Sequence, residues 1–149
     1  MNTRIPVIAP FLDRCRLGRL ATADRSGRPH VIPVCYALVG GALYFIADEK
    51  PKAAGKTLKR LRNIAENPRV ALVVDSYDED WSQLEYVLIQ GRAEKVYDPT
   101  EFELVLEQLR QRYPQYRGML LELKRNPLVR ITPQYVHHWC ARSGTLRPN

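Results

Sequence analysis

The sequence predicts a mainly β fold, an antiparallel β-barrel carrying a few α-helices. Three observations point there. Short uncharged runs at 43–47 and 70–74 are rich in β-branched and aromatic residues. Tight-turn residues recur between such runs, Asp24-Arg25-Ser26-Gly27 and Gly40-Gly41 among them. The order of elements is strands, a small helix, strands, a helix and a strand, which suits a barrel with helices laid on it.

Residues 7–16 read as a helix with Val7, Ile8, Phe11, Leu12 and Cys15 turned inward, Pro10 either in its first turn or splitting it, and Gly18 closing it. Residues 20–23 and 29–38 read as two strands joined by the turn at 24–27. Pro33 lies inside the second. It cannot donate to a ladder, so it marks an edge, a bulge or an opening. Opened backbone beside a pocket is a place where main-chain groups can read a planar ligand. Gly40-Gly41 makes the next hairpin, into a strand at 43–47.

The segment 50–75 organises the rest. It comprises a lysine-rich loop, a short helix with Leu58, Leu61, Ile64 and Ala65 on one face, a stop at Asn67-Pro68, and a buried strand at 70–74. Lys50, Lys52, Lys56, Lys59, Arg60, Arg62 and, past the stop, Arg69 face a single acid, Glu66. A helix start offers N–H groups and a positive dipole end, and these cations add charge to it. That combination can hold a phosphate. The plainer alternative is a solvated cationic face.

Beyond it, 76–82 is an acidic loop (Asp78, Glu79, Asp80) carrying Tyr77 and Trp81. Residues 84–97 form a long strand with Gly91 as its bulge. Asp98-Pro99-Thr100 opens a helix, with Thr100 and Glu103 as a capping box and Phe102, Val105, Leu106 and Leu109 as the buried stripe. Tyr113-Pro114 ends it. A short helix or turn at 119–123 precedes a last strand, Leu128–Cys140, with Pro133 as a break, and 143–149 is a tail.

The 149 residues read as one domain, 1–149, with 45% apolar and 26% charged residues, an ordinary globular balance. The net charge of +7 favours an anionic partner. RRM-type aromatic motifs and a recognition helix are lacking, so nucleic acid is not the expected one. Cys15, Cys35 and Cys140 are odd in number and follow no zinc pattern, which fits a reducing, cytoplasmic setting. No apolar run approaches the ~20 residues of a membrane span, and no leader pattern is visible.

The run from Leu58 to Leu72 (Leu-Lys-Arg-Leu-Arg-Asn-Ile-Ala-Glu-Asn-Pro-Arg-Val-Ala-Leu) resembles the pyridoxamine-phosphate-oxidase-like flavoproteins. Three more stretches agree in order: Ala21-Thr22-Ala23 through Gly27-Arg28-Pro29 and Val31-Ile32-Pro33-Val34; Leu43-Tyr44-Phe45-Ile46-Ala47; and Ile89-Gln90-Gly91-Arg92-Ala93-Glu94. Within the family the likeness is greatest to the subgroup using coenzyme F420, a deazaflavin, through Lys56-Thr57 and Val74-Asp75 followed by Asp78-Glu79-Asp80-Trp81. The resemblance implies an FMN-binding split barrel of antiparallel Greek-key type. It also implies a homodimer with two cofactors, F420 or FMN, at the interface, and hydride transfer to a conjugated organic small molecule. A non-enzymatic flavin, deazaflavin or haem carrier is the alternative.

Carried over position by position, Lys59 and Arg60 fall on the cofactor phosphate, and Lys56 and Thr57 add donors. Val31, Ile32 and Pro33 meet the ring through main-chain atoms, and Ile46 and Ala47 line it from the neighbouring strand. There are departures from the true oxidases. Ile46-Ala47 replaces Tyr-Thr, Glu85-Tyr86 replaces Arg-Gln, and the C-terminal Arg-x-His substrate clamp has no counterpart in the segment 137–142. Vitamin B6 synthesis is therefore not implied.

No catalytic side chain stands out, as suits chemistry carried by a cofactor. His137 and His138 are adjacent on a strand and point to opposite faces, so they cannot share a metal; a structural role is expected of them, the alternative being that one is a proton donor near the ring. Trp139 is expected in the core or at a dimer interface. Trp81 either covers a ring or anchors its loop. Cys35 is read as a buried, inert thiol. The acids 78–80 lack calcium-loop spacing and are read as solvated, so no metal is expected.

Overall fold

The computed structural model describes residues 3–47, 58–142 and the backbone of 144–145. Among the described residues, eight strands form one antiparallel sheet: β1 (Gly18–Ala23), β2 (Pro29–Val34), β3 (Ala37–Val39), β4 (Ala42–Ile46), β5 (Arg69–Ser76), β6 (Glu85–Lys95), β7 (Leu128–Cys140) and β8 (Gly144–Thr145). The hydrogen-bonded order is β2-β1-β5-β6-β7-β4-β3, with β8 on β7. The two ends of this path, β2 and β3, are separated in the chain by residues 35 and 36 alone. A sheet whose first and last strands are nearly continuous must curl until its ends meet, and that closure makes the barrel.

The closure is incomplete. β3 pairs with β4 from Ala37↔Tyr44 to Val39↔Ala42, while β2 pairs with β1. The β3–β4 register, continued backwards, would set Cys35 against Ile46 and Val34 against Ala47, yet among the described residues no ladder joins β2 to β4. The barrel is split there, and Pro33 lies on the strand that borders the split, as its missing donor requires.

Side chains alternate between a closed interior and an outer face. Leu20, Leu72, Val74, Val87, Ile89, Val129, Ile131 and Val136 fill the interior. Helix α1 (Ile5–Arg14) lays Ile5, Ile8, Phe11 and Leu12 on one end of it, a 3.6-residue stripe. Helix α2 (Lys59–Glu66) plugs another part with Leu61 and Ile64. Helix α3 (Pro99–Arg112) builds a second cluster outside β3 and β4 from Phe102, Val105, Leu106 and Leu109 with Tyr44, Ile46 and Leu128. Among the described residues, no helix is long and apolar enough to cross a membrane.

Several expectations need correction. Helix α1 starts and ends earlier than 7–16, and Val7 is 64% exposed, because the inward stripe begins at Ile5. Gly18 opens β1 and does not close the helix. A Cβ there would meet Leu72 at 2.9 Å. The strand at 29–38 is two strands, β2 and β3. Helix α3 is capped by Asp98, which accepts from the Thr100 N–H at 3.0 Å, so Thr100 is not the cap. Pro133 does not break β7. It sits opposite Gly91, where the ladder shifts register. A side chain at Gly91 would come within 2.2 Å of the Thr132 carbonyl oxygen, so glycine permits that close approach. The Gly40-Gly41 hairpin has both φ angles positive, 59° and 82°, as a two-residue turn demands.

Candidate functional site

The phosphate corner is built by α2 and the β1–β2 turn. Asp24 folds that turn around its own carboxylate, which accepts from Ser26 N and Arg28 N, both at 2.9 Å, and from Ser26 Oγ at 2.8 Å. These bonds, the Arg28 N–H first, hold its carboxyl below the usual carboxylate range. Lys59, the first residue of α2, places Nζ 3.9 Å from Asp24 Oδ2. At the far end of α2, Glu66 accepts from Arg25 N at 2.9 Å. The helix is therefore tied to the β1–β2 turn at both of its ends. Leu58 at the N-cap offers no side-chain acceptor to the opening N–H groups. Arg60 is half-buried, with Nε shielded from solvent. Lys56 and Thr57 lie outside the described residues.

Asn63 is a residue that sequence reading missed. It is fully buried mid-helix and donates from Nδ2 to Thr22 Oγ1 at 3.0 Å, pinning α2 to β1. Ala65, expected inward, is exposed.

The ring residues divide. On β2, Val31 is 63% exposed and Pro33 is exposed, both on the outer face, while Ile32 packs toward the interior. Ile46, the last residue of β4, and Ala47, just past it, are buried, in the second cluster and the interior respectively. Both main-chain groups of Ala47 are already used: its N–H donates to Pro127 O at 2.9 Å and its carbonyl accepts from Asn126 Nδ2 at 3.1 Å. The corner and the β2 edge form one continuous stretch, because Pro29 follows directly on the turn that Lys59 touches.

His137 and His138 point to opposite faces, as their adjacency on a strand requires. His138 is buried and donates Nε2–H to Glu85 Oε1 at 2.9 Å. The buried Glu85 carboxylate also accepts from Arg14 at 2.8 Å and Arg142 at 3.5 Å, and Phe11 stacks on the His138 ring. This cluster ties α1 to β6 and β7 and has the partners a buried charge needs. Strand parity could have found it: Glu85 shares a face with Val87 and Ile89, and His138 with Val136 and Cys140. His137 instead lies on the outer face against Tyr86, which also stacks on Trp139. Trp81 is 68% exposed. Cys35 is half-buried. Burial raises the Cys15 thiol above its usual range, with Arg14 opposing, so Cys15 is a poor thiolate. Among the described residues, no three His, Cys, Asp or Glu side chains gather as a metal site.

Two hollows lie nearby. One, of about 530 Å³ beside α2, is lined by Leu61, Ile64, Tyr97, Glu101 and Arg130. Within it, Arg130 is paired with both Glu94 and Glu101. The other, about 460 Å³, lies on the outer face over Ala21, Ala23, Pro29 and Ala71.

The architecture is a split antiparallel barrel with a cationic helix start at its β1–β2 turn, and comparison supplies the family. Residues 6–140 match the pyridoxamine 5'-phosphate oxidase family, and the chain belongs to it. Its structure is similar to that of the conserved hypothetical protein Rv2991 from Mycobacterium tuberculosis (26% identity, TM-score 0.74, covering 95% of this chain and 86% of that one). It is also similar to a FAD-binding protein from Mesorhizobium loti (23%, 0.66, 91% and 92%) and to the haem storage protein HutZ from Vibrio cholerae (19%, 0.67, 88% and 91%). None of the curated proteins matches the chain in sequence.

Proposed function

We propose that the chain is a cytoplasmic oxidoreductase that uses F420 or FMN and acts as a homodimer on a conjugated organic small molecule. The observation that carries this reading is the contiguity of the cationic corner and the open β2 edge. Two to four residues separate Pro29 from Val31 and Pro33, a rise of roughly 7–13 Å at 3.3 Å per residue. A sugar-alcohol chain between a phosphate and a tricyclic ring covers that kind of distance.

The residues fit such a group in a particular way. Lys59, Arg60 and the α2 N-terminus take the phosphate, with Lys56 and Thr57 as further donors. Val31, Ile32 and Pro33 present main chain and a flat apolar edge to the ring. Ile46 and Ala47 act behind them, as packing that holds the mouth of the split open. When bound, the cofactor supplies hydride transfer. The chain binds, orients and shields it.

A carrier of flavin, deazaflavin or haem is the second reading. It is favoured by His137, whose Nδ1 has no hydrogen-bond partner among the described residues and which lies on an aromatic outer face, and by the haem storage protein among the similar structures. The absorption spectrum of the purified chain with F420, FMN and haem added separately, followed by mixing of reduced F420 or FMN with conjugated acceptors, separates the two. The enzyme reading expects acceptor-dependent reoxidation of the reduced cofactor. Binding without any such turnover replaces it with the carrier.

A further inference from the structure

The chain is strongly basic, yet the larger of the two hollows is not. It lies where α2 meets the end of β6 and the start of α3, and its volume of about 530 Å³ suits a small organic molecule. Its floor is apolar: Leu61 and Ile64 of α2 and Ala93 of β6 line it, and all three are buried. Tyr97, 80% exposed, stands at the rim. Glu94, Asp98 and Glu101 bring three carboxylates against the two cations Lys95 and Arg130. The lining is therefore net acidic in a chain whose charge is +7.

The cations are the less available of these charges. Arg130 sits in a cross-strand row between Tyr44 of β4 and Glu94 of β6. Its guanidinium donates to Glu94 Oε1 at 3.0 Å and to Glu101 Oε1 at 2.6 Å, and the Tyr44 hydroxyl donates to Glu101 Oε2 at 2.9 Å. An incoming carboxylate would have to displace one of these acids. Lys95 is exposed, and its long stem lets the ammonium stay in water. The carboxylates keep spare capacity. Glu94 uses one oxygen on Arg130, and Asp98 uses one on the Thr100 N–H at 3.0 Å. The second oxygen of each makes no hydrogen bond among the described residues. Through Ala65, α2 also turns the negative end of its dipole toward the hollow, with no basic side chain in that last turn. The positive start of α3 is met by its own cap, Asp98, and by Glu101.

We infer that this hollow binds an organic ammonium ion with an apolar body, the body on Leu61, Ile64 and Ala93 and the charge against Glu94 and Asp98. Tyr97 offers the face of its ring to the same cation. Helix α2 then serves two ligands of opposite sign. Its first turn, with Lys59 and Arg60, takes an anion, and its flank of Leu61, Ile64 and Ala65 takes the apolar part of a cation. The inference stands on the shape and charge of the hollow and does not require the cofactor reading above.

The test titrates the full chain with naphthylmethylamine, and with naphthylacetate and naphthylethanol as anionic and neutral controls, following the backbone amide NMR signals. The amine should saturate with a Kd on the order of a millimolar or tighter. It should bind about fivefold or more tightly than either control, and added salt should narrow that margin. Ala65→Trp, at an exposed position, fills the hollow and should weaken the amine about tenfold. Glu94→Gln/Asp98→Asn removes the charge while asparagine keeps the α3 cap, and should bring the amine level with the neutral control. The two hollow variants alter different residues, so if one misfolds the other decides. Lys59→Ala/Arg60→Ala should leave the amine affinity unchanged, which keeps a failed phosphate corner apart from a failed cation site. Equal affinity for amine and acid, no saturable binding of the amine, or wild-type affinity in a folded hollow variant overturns the proposal. So does loss of the amine in Lys59→Ala/Arg60→Ala.

Discussion

The seam where β2 becomes β3 and the corner where α2 begins are both held by cations, and the two are built to opposite ends. At the seam, Arg112 donates to Tyr36 O at 2.8 Å and to Leu12 O at 3.0 Å, and also to Cys15 O. Tyr36, 2% exposed, donates its hydroxyl to Leu12 O at 2.7 Å. Tyr113 donates to Arg16 O at 2.9 Å. Burial pushes the Tyr36 hydroxyl well above its usual range, so it remains a donor at any working pH. The guanidinium is consumed by carbonyls left over at the end of α1, and it fastens α1, α3 and the seam together. At the α2 corner, Lys59 reaches one carboxylate at 3.9 Å and stays 41% exposed. A cation spent on carbonyls holds the fold. A cation left on a long, half-exposed pair remains open to an anion.

Breaking the seam should have the largest effect. Arg112→Ala strands several carbonyls at once and should cost about 3 kcal/mol of stability by denaturant titration. A loss under about 1 kcal/mol would show that the seam is not what closes the barrel. The Glu85 cluster belongs with the seam, since its acceptor is buried and fully engaged. Glu85→Gln should cost about 2 kcal/mol and leave cofactor affinity unchanged. A selective loss of affinity would move the cluster to the functional side of the comparison. The smallest effect is expected at the corner. Asp24→Asn removes a half-buried turn-former and should lower the melting temperature slightly at pH 7. The carboxyl of folded Asp24 lies below its unfolded value of about 3.9. Its contribution is therefore present above that pH and fades as pH falls through the folded value. The gap between wild type and variant should close as pH falls below about 4, and a gap that widens there would contradict this sign.

Much of the barrel was legible because strands advertise themselves by alternation and by the glycines and prolines between them. β7 was read end to end, and Gly91 was read as a bulge. What escaped has a common cause: it depends on partners far away in the chain. Asn63 looks like a surface residue of a polar helix until Thr22, 41 residues away, is brought beneath it. The parity of Glu85 and His138 is local to each strand, but their contact exists only once β6 and β7 pair, 53 residues apart in the chain. Val7 was misread because an apolar residue on a short helix fits either of two neighbouring stripes. At the candidate site, the charge of the corner and the opening at Pro33 could be read directly. The burial of Ile46 and Ala47 could not, because it follows from α3 and from residues 126 and 127 packing on β4.

The account rests on an anion held where α2 begins, with its ring along β2. The most direct check is equilibrium titration of wild type and a Lys59→Ala/Arg60→Ala double variant with F420 and with FMN, followed by ring fluorescence. The expected result is saturable binding of at least one cofactor at one ring per chain, weakened tenfold or more in a double variant that melts within a degree or two of wild type. Equal affinity in the two proteins, or no binding of either cofactor to the wild type, would contradict it.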